Sequence, residues 1–191
     1  MTGAGPHATR PVGEGDEPFL RALDAESRAA DLGGALDPAL LGDILALQYR
    51  AREAGWAQEA PGHDDLVVLC DGEPVGRLVL DRRPEGIRVM DIAVLGATQG
   101  HGLGTDLLRE VIAEADRRGV PVSLHVLEGS RAATLYERLG FRTVSRGGVH
   151  RLMERPAAVR SRGARGPSSG GGDGVSDGRS RTVDRGEAPL T

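Results

Sequence analysis

The chain has 191 residues, enough for one domain and a terminal extension. Its single cysteine excludes an internal disulfide bond, and its formal net charge of −4 argues against a nucleic-acid-binding core. No window approaches the roughly 18 apolar residues of a membrane span, and the first ten residues lack the apolar segment of a signal peptide. We therefore expect a cytoplasmic protein that binds neither membrane nor nucleic acid.

Composition divides the chain into three regions. Residues 1–15 are rich in Gly and Pro, and we expect them to be loose apart from a short strand around Ala8–Val12. Residues 16–155 carry periodic apolar patterns and form the predicted domain. Residues 156–191 contain eight glycines, and six arginines against four acids, with almost no large apolar side chains. Such a segment cannot bury enough surface to offset its ordering entropy, so we predict that it is disordered.

Two helices are predicted at the start of the domain. They cover residues 16–30 and 37–54, because an aspartate stands shortly before a proline at the beginning of each. The second helix carries its apolar side chains on one broad stripe, formed by Leu40, Leu41, Ile44, Leu45 and Tyr49.

The apolar period then changes from helical to alternating, which predicts three strands in a meander. The strands are Asp65–Asp71, Pro74–Asp81 and Ile87–Leu95. The dipeptide Asp71-Gly72 is typical of a tight hairpin turn between the first two. Strict alternation in the third strand places four residues on one face: Val89, Asp91, Ala93 and Leu95.

The remaining elements favour the α/β class. A helix is predicted over Leu103–Arg118, followed by a strand over Val120–Leu127 and a short helix over Ser130–Leu139. Two final strands are Phe141–Val144 and Val149–Met153. A meander followed by a right-handed strand–helix–strand crossover predicts a mixed, mostly antiparallel central sheet flanked by helices.

The most informative segment is a glycine-containing loop between the third strand and the strong helix, Gln99-Gly100-His101-Gly102-Leu103-Gly104-Thr105. The first amides of a helix have no intrahelical partner and lie at the positive end of its dipole, and glycines let phosphates approach them closely. A P-loop is excluded because the chain contains no lysine. The dinucleotide-binding pattern G-x-G-x-x-G is not completed after Gly102.

Two stretches of the sequence resemble the GCN5-related N-acetyltransferase (GNAT) superfamily. The spacing of Gln99, Gly102 and Gly104 within residues 91–109 resembles its motif A. The run Ser-Arg-Ala-Ala-Thr-Leu-Tyr-Glu-Arg-Leu-Gly-Phe at residues 130–141 resembles its motif B. The resemblance extends over residues 87–141, and it implies that residues 16–155 are an N-acetyltransferase domain.

The resemblance also implies a cofactor site. Acetyl-CoA would be the acyl donor, with no metal involved. Backbone amides of Gly100–Thr105 would bind its pyrophosphate, and the strand edge at residues 92–94 would pair with its pantetheine arm. The implied cofactor-binding residues are Ile92, Ala93, Val94, Gln99, Gly100, His101, Gly102, Leu103, Gly104, Thr105 and Ser130.

For the proton transfers, Tyr136 matches the tyrosine that serves as acid in the superfamily. The base is less defined. His125 is the first candidate, although it can also act only as a polar residue of the acceptor pocket, and Asp91 is the second candidate. Arg88 stands where some lysine-directed members carry a catalytic glutamate.

The function that these motifs imply is transfer of an acetyl group from acetyl-CoA to a primary amine of a small molecule or peptide, by direct attack. One alternative is a non-catalytic acyl-CoA-binding regulatory domain on the same fold. Another places the main function in residues 156–191, as an arm that recruits a partner. The sequence does not identify the amine. It also leaves the oligomeric state open, and a homodimer is compatible with it.

Overall fold

The computed structural model describes residues 7–32 and 38–158, with side chains except at 29–32 and 38–40. The predicted disorder of residues 156–191 falls almost wholly outside these ranges and stays a prediction. Leu40 of the predicted apolar stripe also lies outside the described side chains. No helix of the described residues is long and apolar enough to cross a membrane.

Seven strands form one sheet, in the order β1-β2-β3-β4-β5-β7-β6. Among the described strands, the only parallel pair is β4 and β5, which confirms the predicted mixed, mostly antiparallel sheet flanked by helices. The elements in chain order are β1 (His7–Pro11), α1 (Glu17–Leu32), α2 (Pro38–Glu59), β2 (Asp64–Cys70), β3 (Glu73–Arg83), β4 (Gly86–Val94), α3 (Leu103–Arg118), β5 (Val122–Leu127), α4 (Ala132–Arg138), β6 (Arg142–Gly147) and β7 (His150–Arg155).

Local signals position most of these elements correctly. Asp71 and Gly72 both have positive φ, 51° and 86°, as the two central residues of a type I′ hairpin turn require. Gly119 ends α3 in the left-handed conformation, with φ 71°. Helix α2 is longer than predicted and reaches Glu59, because its final turns pack Trp56 into the protein, where it is 8% exposed.

The two faces of the sheet are covered differently. Helix α3 buries an apolar stripe against one face, formed by Leu103, Leu107, Leu108, Val111 and Ala115. Each fully buried Leu contributes about 1.5–3 kcal/mol relative to an exposed one. Helices α1 and α2 lie over the other face, where a buried arginine, Arg77 of β3, bonds to Asp65 of β2 and Glu53 of α2. We call these the α3 face and the α1–α2 face.

A β-bulge in β4 changes which of its residues share a face. Val79 is paired with Asp91 and Leu80 with Val89, so Met90 is the extra residue. The predicted common face for Val89 and Asp91 is therefore wrong. Val89 lies in the core beneath α3, and Ile92 and Val94 pack against the same core, because the bulge reverses the alternation after it.

Candidate functional site

The loop of residues 99–105, the glycine loop, joins the sheet to the start of α3. Gly100 and Gly102 have φ values of 79° and 93°, in the left-handed region that L side chains rarely adopt. Gly102 is the N-cap of α3 and offers no side chain to bond the first amides of the helix. These amides therefore stay available to an anionic ligand at the positive end of the helix dipole.

A groove of about 340 Å³ opens at the glycine loop. Predicted site residues form most of its lining: Val94, Gln99, Gly100, Gly102, Leu103, Gly104 and Thr105. The Leu103 side chain is only 3% exposed and belongs to the core, so a ligand in the groove meets its backbone. The structure thus brings together seven of the residues that the sequence analysis assigned to a cofactor.

The other assigned cofactor residues lie elsewhere. His101 is exposed and does not line the groove. The Ser130 hydroxyl accepts a hydrogen bond from the Ala132 amide at 3.2 Å and so organises the start of α4. Ile92 and Ala93 lie on β4, ahead of the groove.

Three groove residues were missed by the sequence analysis: Thr98, just ahead of the glycine loop, and Leu135 and Arg138 of α4. Arg138 places a positive charge beside the glycine loop, where it can pair with a phosphate. Its position within the motif B run was a usable signal, because Tyr136 and Arg138 share that run. The sequence alone does not show that α4 packs beside the glycine loop.

A contact between distant residues holds the segment that leads into the glycine loop. The Gly96 amide donates a hydrogen bond of 2.7 Å to Glu26 Oε1 on α1. The Gln99 side chain donates to the Val94 carbonyl at 3.2 Å. These bonds fix the path of the chain between the end of β4 and the start of α3.

Strands β4 and β5 separate beyond their first three pairs, and we call the gap the strand opening. Their pairing joins Ile87–Val89 to Val122–Leu124 and ends there. The bulge at Met90 follows at once, and it turns β4 away from β5. The edge of residues 92–94 that faces β5 is therefore unpaired and can form main-chain hydrogen bonds with an extended ligand.

The other edge of the same segment is tightly packed against β3. Gly76 is paired with Val94, and a Cβ atom placed at Gly76 would lie 2.6 Å from the Ala93 carbonyl oxygen. Only glycine fits this approach. Gly76 thus lets β4 stay bonded to β3 while its opposite edge is open.

Tyr136 belongs to the core on the α3 face of the sheet. It is 8% exposed, and its ring lies 5.9 Å from that of Phe141, centre to centre. Burial raises the pKa of its hydroxyl, and the negative charge of Asp91 raises it further. The phenol is therefore protonated at neutral pH, and no described residue forms a hydrogen bond with it.

Asp91 and His125 border the opening from the α1–α2 face. Burial raises the pKa of Asp91, whereas the positive charges of Arg52, Arg28 and Arg77 lower it. No described residue forms a hydrogen bond or ion pair with the Asp91 carboxylate. Its carboxyl group thus has unused hydrogen-bonding capacity.

His125 directly follows the last residue of β5 that pairs with β4. Partial burial is the main cause that lowers the pKa of its imidazole, and the charges of Arg88 and His150 add to the effect while Glu59 opposes it. The ring is therefore neutral at pH 7. Both predicted base candidates lie beside the opening, and Tyr136 belongs to the core on the opposite face of the sheet.

The described residues contain no group of three or more His, Cys, Asp or Glu side chains arranged to hold a metal ion. The candidate site therefore consists of a groove with free amides, an unpaired strand edge and three titratable side chains. This arrangement can hold an elongated anionic ligand and move protons at its far end.

Comparison with known proteins points to one family. Residues 62–143 match the acetyltransferase (GNAT) domain family, a span that contains the strand opening and the whole glycine loop. A search of curated protein sequences found no significant match.

Several solved structures share the fold. The PaiA N-acetyltransferase of Thermoplasma acidophilum, solved with coenzyme A, is 16% identical with a TM-score of 0.62, over 79% of this chain and 99% of that one. The ribosomal-protein-S18-alanine N-acetyltransferase of Escherichia coli is 20% identical with a TM-score of 0.55, over 83% and 98%. An acetyltransferase of Thermus thermophilus is 24% identical with a TM-score of 0.59, over 82% and 99%. At these identities the likeness concerns the fold alone.

Proposed function

We propose that the chain is an N-acetyltransferase of the GNAT superfamily that moves an acetyl group from acetyl-CoA to a primary amine, and the match of residues 62–143 to the acetyltransferase (GNAT) domain family supports this proposal. The observation that carries the proposal is the strand opening. Val94, at the end of its unpaired edge, lines the groove at the glycine loop, and Asp91 and His125 lie on β4 and β5 just beyond the last pair of the two strands.

The groove is suited to the diphosphate of coenzyme A. Amides of Gly100–Thr105 would donate to its phosphate oxygens, and Arg138 would neutralise part of their charge. The pantetheine arm would then follow the unpaired edge of residues 92–94 as an added strand. This path leads the thioester to the strand opening, where a backbone N–H of the same edge can polarise its carbonyl.

The chemistry would be direct attack. The amine nitrogen forms a bond with the thioester carbonyl carbon, the C–S bond breaks, and the sulfur leaves with its electron pair. Tyr136 gives its proton to the departing thiolate, because its raised pKa keeps it protonated. The proton that the amine loses goes to a base on the α1–α2 face.

We assign that base to Asp91 rather than His125. The Asp91 carboxylate has no hydrogen bond from a described residue, and its charge acts on Tyr136. His125 instead interacts electrostatically with Arg88, Glu59 and His150, which lie further along the same face. In this assignment His125 lines the path by which the acceptor approaches.

The decisive experiment replaces Gly102 by glutamate. The substitution adds bulk, a negative charge and a strained left-handed backbone at the proposed phosphate site, so we expect acetyl-CoA binding to be lost in calorimetry. Gly148→Glu is the control, because Gly148 also has positive φ, 58°, and lies in the β6–β7 turn away from the groove. Unchanged affinity in Gly102→Glu would refute the cofactor site.

Turnover is tested separately, by thioester consumption across a panel of primary amines. Consumption that requires an amine and stops in the Gly102→Glu variant supports catalysis. Binding of acetyl-CoA without turnover on any amine would instead support a regulatory acyl-CoA-binding domain.

A further inference from the structure

A cluster of charged side chains of both signs lies on the α1–α2 face, around the proposed base. Asp24 and Arg28 belong to α1, and Arg52 belongs to α2. Asp91 of β4 faces the same layer, because its partner on β3, Val79, is fully buried and yet is not part of the core beneath α3. Burial raises the pKa of Asp91, and among the charges that act on it, those of Arg52 and Arg28 lower it while that of Asp24 raises it. We call Asp24, Arg28, Arg52 and Asp91 the charged cluster.

Asp24 holds both arginines of the charged cluster through one of its two oxygens. The residue is buried, with 9% of its surface exposed. Its Oδ1 accepts a hydrogen bond of 2.8 Å from Arg28 Nε and another from Arg52 Nη2. The other oxygen, Oδ2, is buried and has no hydrogen-bond partner among the described residues. It is therefore an acceptor that an N–H group of a ligand can use.

Arg52 has an unused donor close to that unused acceptor. Its Nε–H group is buried and likewise has no partner within the described ranges, while its guanidinium carbon lies 5.6 Å from the centre of the Trp56 ring. The donor and the acceptor belong to the same guanidinium and carboxylate that form the ion pair between Arg52 and Asp24, so they are close together. Buried polar atoms are costly when they stay unpaired. A ligand that carries a donor and an acceptor near each other would satisfy both.

The charges of the cluster match those of a zwitterion. Arg28 and Arg52 share a single carboxylate, that of Asp24, so positive charge is in excess at the two guanidinium groups. Asp91 has no ion pair with a described residue and carries negative charge when it is ionised. Arg77 does not change this balance, because Glu53 and Asp65 both pair with it. A ligand with an ammonium group and a carboxylate on one carbon therefore meets opposite charge at both groups.

We propose that the acceptor is a free α-amino acid, whose carboxylate binds Arg52 Nε and Arg28 and whose amine lies between Asp24 Oδ2 and Asp91. This inference rests on the proposed acetyltransferase function and names the class of its acceptor. Arg28 and Arg52 determine specificity, Asp24 orients the amine, and Asp91 takes its proton. A peptide N-terminus lacks the feature that these arginines recognise, because its α-carbon carries an amide in place of the carboxylate.

Matched pairs of acceptors test the carboxylate contact. With acetyl-CoA as donor, kcat/KM is measured for the L-α-amino acids and for their amides, which keep the amine and the side chain but lose the negative charge. We expect the best amino acid to exceed its own amide about 10- to 100-fold, as a hydrogen bond between charged groups predicts. An amide that is used as well as its amino acid would overturn the proposal.

The ratio of the two kcat/KM values identifies the residues responsible. In Arg52→Gln the ratio should fall towards one, whereas a general loss of structure would lower both values equally and leave the ratio unchanged. Arg28→Gln should also lower the ratio, and it is the milder change because its side chain is more exposed than that of Arg52. Arg50→Gln is the control, because Arg50 lies on α2, is exposed and has no described partner. A wild-type ratio in Arg28→Gln and in folded Arg52→Gln would overturn the assignment.

Binding separates this inference from the acetyltransferase function. The same amino acids are titrated by calorimetry into the full chain saturated with CoA, for the wild-type protein and for the Arg52→Gln and Arg28→Gln variants. Binding that these variants weaken about tenfold or more, without turnover of any amine, would contradict the acetyltransferase function and leave the amino-acid site standing. If no amino acid binds the wild-type protein while simple alkylamines are acetylated, the amino-acid site is refuted and the acetyltransferase function is kept.

Discussion

The Tyr136 hydroxyl lies within electrostatic reach of the Asp91 carboxylate, and its pKa is raised first by burial and then by that negative charge. The two residues belong to different layers, since Tyr136 is part of the core beneath α3 and Asp91 faces the arginines below α1 and α2. In the proposed reaction, an acyl group held in the strand opening would lie between a proton donor and a proton acceptor.

Replacement of Tyr136 by phenylalanine tests the acid. The ring contact with Phe141 is kept, so the melting temperature should change little. We expect kcat to fall about 10- to 100-fold, at the low end of proton-transfer effects because a thiolate is a good leaving group. Affinity for CoA, measured by calorimetry, should stay constant. An unchanged kcat between pH 6 and pH 9 would remove Tyr136 from the mechanism.

The pH dependence of kcat/KM distinguishes the two bases. Asp91 acts when ionised and its pKa is raised by burial, so activity should increase with pH through a value above the ~3.9 of an ordinary aspartate. Asp91→Asn should no longer show this increase of kcat/KM with pH, and its kcat should fall about 100-fold. His125→Gln should still show the increase. If the increase instead disappears in His125→Gln and persists in Asp91→Asn, then His125 and not Asp91 is the base.

Gly76→Ala tests whether the path of β4 matters for the donor. Its Cβ would lie 2.6 Å from the Ala93 carbonyl oxygen, so β4 must shift, at a cost of about 1–3 kcal/mol in the free energy of unfolding. The KM for acetyl-CoA should rise because the strand edge of residues 92–94 moves. Gly55→Ala in α2 is the control, since nothing lies within 4 Å of its added Cβ and alanine favours helix. Urea unfolding of both variants should give changes of opposite sign.

Local patterns predicted those parts of the molecule that local sequence determines. Helix α3 begins at Leu103 and ends at Arg118 as expected, because its apolar period and Gly119 act within one segment. The glycine loop was identified for the same reason. The faces of β4 were not predicted correctly, because the bulge at Met90 arises from its register with β3, and register depends on a second strand.

In the candidate site too, the residues that are adjacent in sequence were predicted, and those that only packing brings together were not. Gln99 to Thr105 are adjacent in sequence, and their type and spacing indicated a groove that the structure contains. Arg138 joins that groove only because α4 packs near the start of α3. The environment of Asp91 depends on Arg28, Arg52 and Arg77, which come from α1, α2 and β3.

A final prediction concerns acid stability and the attachment of the N-terminal strand. The Asp16 carboxylate accepts hydrogen bonds from Arg10 at 2.6 and 2.7 Å and from the Gly13 amide at 2.8 Å. The bonds with Arg10 are the main cause that lowers the pKa of Asp16 to about 2, and the Gly13 amide adds to the effect. These contacts link β1 to the residues that precede α1.

Because the pKa of Asp16 is lower in the folded state than in the unfolded state, the free energy of unfolding must decrease as the carboxylate becomes protonated. The carboxylate stabilises the fold fully above its unfolded pKa of about 3.9, and this contribution is lost as pH falls towards about 2. The difference in unfolding free energy between wild type and Asp16→Asn, from urea denaturation, should therefore be constant from pH 6 to 8 and shrink below about pH 4. Arg10→Gln should show the same trend. A difference that persists undiminished at pH 2 would mean that the asparagine side chain perturbs packing in the Asp16→Asn variant, and that the charged bond to Arg10 contributes nothing.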